Sequence, residues 1–322
     1  MTGRSSDGHP GRHRRHGTQL RTVRADGTPV YRYQPRPGMP PIGVVRFDDD
    51  HLADGPAGHR HAHDFLVLIF IESGDGEARI DGRQQILGPG DVYAVPAGQV
   101  LGSGTPTAIS RCSAWAVFFT ADAVIGGDAG SPLHWSRHPL LSLFAPGRSP
   151  AAGILTVPAA LRADWSRWYA DLQAELAEPG RLGAAQATIA TLTRLLVAAS
   201  RLDPNPSGAA PIDPLVTRVF EVIEARYAEP ISTRDVADEL GYTAGHLTTM
   251  IRERTGRTVL DWITERRMGE VRRLLAETDL SVRAIATRTG HRDGEYLTRR
   301  FRDRYGSTPL QWRQAMIRRP DR

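Results

Sequence analysis

The chain has 322 residues, is 40% hydrophobic and carries a formal net charge of +5. That size and composition suit two domains, each with its own core. The longest apolar run, residues 65–71, is far below the ~20 residues a membrane-spanning helix needs, which excludes a membrane protein of that kind. The Arg- and His-rich start has no hydrophobic segment and does not read as a secretory signal. A lone cysteine, Cys112, cannot form an internal disulfide and fits a reducing, cytoplasmic setting. All 41 basic residues are arginine, and the net charge is modest, so local clustering carries any electrostatic argument.

Residues 1–40 contain RHRRH with scattered Pro and Gly and read as a disordered tail. Residues 41–157 read as short strands separated by turns. Residues 65–71 are β-branched and aromatic; residues 78–80 and 84–87 flank Asp81-Gly82 as a hairpin; residues 91–95 and 114–119 are further strands. Strands at about ten-residue spacing suggest an antiparallel barrel or jelly roll. His59, His61 and His63 alternate, so on a strand they share a face. They could bind a metal, hydrogen-bond a small polar ligand at the barrel mouth, or sit at a strand edge with no ligand. The ligand reading makes His59, His61, His63 and Tyr93 candidate pocket residues, Tyr93 lying on one of the strands that would line it.

Residues 158–202 turn helical. Leu161, Trp165, Trp168, Leu172 and Leu176 step at helical spacing, as do Ile189, Leu192, Leu196 and Ala199. The two helices either cap the barrel or form a dimer contact, with Trp165 and Trp168 as large anchors. Residues 203–212 (DPNPSGAAPI) read as an interdomain linker. Pro214–Arg226 then reads as a helix with Leu215, Val219, Phe220 and Ile223 inward.

Within residues 213–322 one motif occurs twice. The copies ISTRDVADELGYTAGHLTTMIRERTGRTVLDWI and LSVRAIATRTGHRDGEYLTRRFRDRYGSTPLQWR align at an offset of 49 up to Gly241 and Gly290, and of 50 from Leu247 and Leu297 onward. Gly241 and Gly290 stand where a left-handed helix cap is expected, and Thr243 and Asp293 where the next helix opens. That next helix keeps Leu247 and Ile251, or Leu297 and Phe301, on one face and Thr or Arg on the other. This pattern suits a recognition helix in a major groove. Residues 258–277 between the copies read as one helix of roughly 28 Å, close to the spacing of successive major grooves, about 34 Å. Gly269 within it reads as a site of close packing.

This segment resembles the DNA-binding domain of the AraC/XylS transcription regulators. Ile285-Ala286, Gly290, Tyr296-Leu297, Arg300-Phe301, Arg304, Gly306, Pro309 and Trp312-Arg313 fall in that family's order and spacing. His291 stands where the family usually has an aromatic residue. The barrel region resembles a small cupin through Gly55, His61, His63, Gly90, Pro96 and Gly98, but the expected glutamate falls near Val67 or Leu68 and the expected second-motif histidine on Leu101. No metal ligand set and no cofactor is therefore expected. The resemblance implies an α+β multidomain protein: a cupin-like antiparallel β-barrel with a helical hairpin, then an all-α double helix-turn-helix domain. It implies a sequence-specific regulator of transcription that binds double-stranded DNA and is controlled by a small-molecule effector. A homodimer and contact with RNA polymerase are the further expected associations. Within the motif, Gly245, Thr248, Thr249, Glu295, Tyr296 and Arg299 are the candidate base contacts. Thr243, Arg252, Arg254, Arg292, Arg300 and Arg302 are the candidate phosphate contacts. The rival reading is a cupin-type, metal-dependent enzyme carrying a helical appendage.

Overall fold

A computed structural model describes residues 18–24, 26–33, 39–47, 60–80, 83–103, 112–125, 135, 138–145, 154–204 and 213–317. The chain divides into two compact units, residues 1–124 with 149–206 and residues 125–148 with 207–322. Residues 125–148, expected in the sensor barrel, thus group with the second unit; their described part includes the buried Leu141, Leu143 and Phe144.

The first strands fall inside the segment whose composition reads as a disordered tail, and that expectation is corrected for residues 18–24 and 26–33. β1 (Thr18–Val23) and β2 (Pro29–Tyr33) form an antiparallel hairpin. Gly27 turns it with a left-handed φ of 79°, and Thr28 N donates to Asp26 Oδ1 at 3.1 Å. Burial of Val30 and Tyr31 holds the hairpin in the core. Residues 1–17 lie outside the described residues.

Nine further strands follow among the described residues: β3 (Ile42–Phe47), β4 (His61–His63), β5 (Leu66–Ser73), β6 (Gly76–Ile80), β7 (Arg83–Leu87), β8 (Asp91–Val95), β9 (Val100–Ser103), β10 (Ser113–Phe119) and β11 (Ile154–Thr156). They make two sheets, in the orders β1-β2-β4-β9-β6-β7 and β11-β8-β5-β10-β3. One pairing departs from the expected antiparallel pattern: β2 runs parallel to β4, with Val30 opposite Ala62 and Tyr31 opposite His63. The first hairpin, hidden in the tail reading, supplies that strand. Tyr31, Phe65, Val67, Tyr93, Val95 and Phe118 cluster in the interior.

α1 (Arg162–Ala177) covers β3 and β10. Trp165 is buried with its ring 5.6 Å from Phe70; Tyr169 stacks on Phe70 and Trp115 and donates its hydroxyl to Leu68 O at 3.0 Å. β5 is thereby covered on both faces, which accounts for its unbroken apolar run LVLIFI. Trp165 thus serves the cap on the sheet, while Trp168 stays half-buried with Arg194 4.3 Å above its ring. In α2 (Ala184–Leu202) the inward set is Thr188, Leu192, Leu195, Leu196 and Ala199. Ile189, expected inward, is 38% exposed. Thr188 takes the interior position because its hydroxyl donates to Ala184 O at 2.7 Å.

The second unit contains α3 (Pro214–Arg226), α4 (Thr233–Leu240), α5 (Ala244–Thr255), α6 (Val259–Glu277), α7 (Val282–Arg288), α8 (Gly294–Tyr305) and α9 (Pro309–Ile317). It has two cores, and α6 belongs to both. Val259, Trp262 and Ile263 join α3, α4 and α5; Met268, Val271, Leu274 and Leu275 join α7 and α8, with Trp312 against them. Thr258 opens α6 with a capping box to Asp261.

Gly269 was expected to serve close packing, but a Cβ built there meets nothing within 4 Å. Its flexibility therefore only weakens α6. Gly269→Ala should stabilise the helical unit by about 0.5–1 kcal/mol, read as a higher urea midpoint followed by helix signal; an unchanged or lowered midpoint would contradict this packing.

Candidate nucleic-acid interface

The two repeats build the same turn with the same bonds. In the first, Gly241 has a φ of 76°, Tyr242 N donates to Ala237 O at 2.8 Å, and the Thr243 side chain accepts from His246 N at 3.4 Å to open α5. In the second, Gly290 has a φ of 67°, His291 N donates to Ala286 O at 2.9 Å, and the Asp293 carboxylate accepts from Tyr296 N at 2.7 Å to open α8. Gly290 has a second reason to be glycine: a Cβ there would lie 2.6 Å from Tyr227 O. Inward, Leu247, Ile251, Leu297 and Phe301 are fully buried.

The outward faces carry most of the residues singled out from the sequence. On α5, Gly245 and Thr249 are exposed and Thr248 and Arg252 are half-buried; on α8, Glu295, Arg299, Arg300 and Arg302 are exposed and Tyr296 is half-buried. The Arg299 guanidinium lies 5.5 Å from the Tyr296 ring centroid, and Arg292 lies 5.8 Å from it. Arg292 also bonds Asp293 at 2.8 Å while remaining 80% exposed. Arg254, expected on phosphate, is instead held by Asp213 at 2.5 Å, which ties the end of α5 to the start of α3. Thr243 is occupied as a helix cap.

The sequence reading missed His246. It aligns with Tyr296 at the offset of 50 and is exposed on the first turn of α5. Each turn holds a tyrosine–histidine ring pair with the two types exchanged: Tyr242 with His246, 6.0 Å apart, and His291 with Tyr296, 6.3 Å apart. His291 therefore fills the aromatic position as a neutral ring. Burial, then the Arg267 and Arg300 cations, pull its pKa down to about 4, and its Nδ1 lies 2.8 Å from Thr289 Oγ1.

Behind the recognition helices an ionic cluster centres on Glu265 of α6. Arg257, from the α5–α6 turn, bonds it at 2.8 Å, and Arg304, from the last turn of α8, bonds the same oxygen. Glu265 is only 17% exposed. Burial alone would raise its pKa, but the Arg304, Arg257 and Arg272 cations overcome that and bring it down to about 2. Next along α6, Arg266 grips Glu224 of α3 at 2.8 and 2.9 Å and sits 3.8 Å over Tyr227. Arg267 donates to the carbonyls of Tyr227 and Glu229 at 2.7 and 2.6 Å. No local pattern in the sequence marks these pairs, because the partners are far apart along the chain.

In the barrel, His61 and His63 lie on β4 with rings 4.9 Å apart, and His63 stacks on Phe65 at 4.7 Å. The His63 Nδ1 is buried without a hydrogen-bond partner, and burial, then His61, hold its pKa well below 6.5, so the ring is neutral. Tyr93 is buried and donates to Gln99 Oε1 at 2.8 Å. His59 lies outside the described residues. Where a cupin metal centre would place its glutamate and second-motif histidine, Val67 and Leu68 are buried and Leu101 packs on the core. That donor set does not fit a metal.

A family profile described as a helix-turn-helix domain matches residues 236–315, and one described as an AraC-like ligand binding domain matches residues 51–106. The chain belongs to the AraC family of transcription regulators. It is 28% identical over 97 residues to the multiple antibiotic resistance protein MarA of Escherichia coli, covering 30% of this chain and 76% of that protein. Among solved structures, the DNA-binding domain of AdpA in complex with a target DNA is 31% identical, covering 34% of this chain and 99% of that chain, with a TM-score of 0.32. This AraC-family protein is a DNA-binding transcription regulator with an N-terminal ligand-binding domain. Its domains and relatives are those of a transcription regulator.

The Glu265 cluster makes a stability prediction for the regulator. A carboxylate whose pKa is lower folded than unfolded binds fewer protons when folded, so its contribution is complete above the ordinary glutamate range and is lost as pH falls toward its folded pKa. Stability of the helical unit should therefore decline as pH drops from about 4.5 toward about 2. Glu265→Ala should cost roughly 3–5 kcal/mol and flatten that decline; denaturant titrations across this window that show no difference between the two proteins would contradict the assignment.

Proposed function

We propose that α5 and α8 enter successive major grooves on one side of a duplex, with Gly245, Thr248, Thr249, Glu295, Tyr296 and Arg299 facing base edges. Arg252, Arg292, Arg300 and Arg302 hold phosphates and set register, joined by His246; Thr243 and Arg254 shape the site through the cap and the Asp213 bond. The observation that carries this reading is Arg299, exposed at the middle of α8 with its guanidinium over Tyr296. A guanidinium has donors only, in a fork that matches the two acceptors of guanine. Glu295, an acceptor one turn earlier, suits a cytosine amine.

The small-molecule effector occupies the N-terminal barrel, where the neutral His63 with its unmatched Nδ1 offers a hydrogen bond and Phe65 a ring to pack on. The regulator works in the cytoplasm as a homodimer through the α1–α2 hairpin; Leu161, Leu182 and Ile189 supply exposed apolar surface there. RNA polymerase is the partner through which bound protein alters transcription.

Arg299→Ala should weaken specific binding by about 1–3 kcal/mol while random DNA changes less. Arg302→Ala should weaken both alike and lower the salt slope by about one. Competition gel shifts over a range of salt read both; an equal loss on operator and random DNA for Arg299→Ala would refute its role. Sedimentation equilibrium tests the dimer, and a monomer at micromolar concentration would remove that part of the proposal.

A further inference from the structure

The two recognition helices present opposite hydrogen-bonding chemistry, although they are copies of one motif. On α8 the central outward residue is Arg299, which can only donate. At the equivalent place on α5 stands Thr249, exposed, with Thr248 one position earlier. Both hydroxyls are already committed. Thr248 Oγ1 donates to Ala244 O at 2.7 Å, and Thr249 Oγ1 donates to Gly245 O at 3.1 Å. A threonine hydroxyl has one proton, so once it is given to the backbone the oxygen can only accept. The same bond fixes the rotamer and leaves the methyl group as the other outward feature. Gly245, on the same face one turn earlier, adds no side chain, and a Cβ there would meet nothing within 4 Å. The helix backbone can therefore approach the groove floor closely at that turn.

An acceptor beside a methyl group complements one kind of base pair. In the major groove, A·T offers an amine donor on adenine and the thymine methyl. G·C also offers a donor, the cytosine amine, but no methyl, so the methyl beside the accepting oxygen is what selects A·T. We propose that the operator is polar: α5 reads an A·T step through Thr249 and Thr248, and α8 reads guanine through Arg299. The inference rests on the assignment of α5 and α8 as groove-reading helices and adds which bases each takes. It also implies that one half-site cannot substitute for the other, so the protein binds each site in a single orientation.

Selection of bound sequences from random DNA with the full-length protein, followed by base replacement, tests this. The expected result is a two-part motif about one turn long, with A·T at one end and guanine at the other. Arg299→Ala should relax the guanine end alone, which marks the α8 half-site. Replacing thymine by uracil in the other half removes only the methyl and should weaken binding about fourfold, the effect of one methyl-sized apolar group. Thr249→Ser keeps the oxygen and lacks that methyl, so it should bind the thymine and uracil sites equally. A motif with guanine in both halves, or a uracil site bound as tightly as thymine by the unaltered protein, overturns this inference and leaves DNA binding intact. No enriched sequence at all would overturn the regulator reading beneath it.

Discussion

Glu265 is the point at which the two helix-turn-helix copies become one rigid object. It sits midway along α6, between the segment that packs with the first copy and the segment that packs with the second. Its carboxylate draws Arg257 from the end of the first copy and Arg304 from the end of the second. A nearly buried carboxylate between cations is costly if any partner is lost, so the arrangement penalises independent motion of the copies. Arg266 and Arg267, bonded to the end of α3 and the turn after it, lock the same stretch of α6 to the first copy. A spacer proposed to keep two grooves in register is thus held by ionic contacts as well as by apolar packing.

The repeat shows the same device in two forms. Arg254 and Arg304 are equivalent under the offset of 50, and each fastens the last turn of a recognition helix to an acid on the helix that precedes its copy. In the first copy the acid is Asp213, at the outer start of α3. In the second it is Glu265, which also serves the first copy through Arg257. Capping and turn geometry are likewise shared, down to the Tyr242 and His291 amides donating to equivalent alanine carbonyls. What differs is outward chemistry. The second copy keeps arginines on its exposed face, while the first has small residues and hydroxyls turned back onto the helix. The two copies share a scaffold and differ in the outward face of the second helix.

How much of this was legible in the sequence follows from how local each signal is. Caps, glycine turns and 3.6-residue stripes are local, so Pro214–Arg226, Asp293 as a cap and Leu297 with Phe301 inward all stand where the sequence puts them. The span of α6 likewise matches the helix read over residues 258–277. The hairpin of β1 and β2 was lost because its strands are short, Leu20 and Val23 are exposed rather than part of an apolar face, and the surrounding Arg, Gly and Pro dominate the composition. Its Asp26-Gly27 turn was the available clue. Trp165 read equally as interface anchor or cap, since both demand an apolar stripe; only the rings of Phe70 and Tyr169 decide between them. Arg254 and the Glu265 cluster were not separable from DNA-facing arginines, because a charge pattern does not reveal which partner the fold brings near. In the barrel, His61 and His63 do share the interior with Tyr31 and Phe65, while the apolar side chains at Val67, Leu68 and Leu101 were visible in advance.

In the proposed mode of binding, α6 holds both recognition helices against one side of a duplex, a helical turn apart. Hydroxyl-radical footprinting of the full-length protein on a selected operator measures that directly. Two protected patches on one face of the DNA, spaced by about 10 base pairs, are the expected result. A single patch, or two patches on opposite faces, would contradict it.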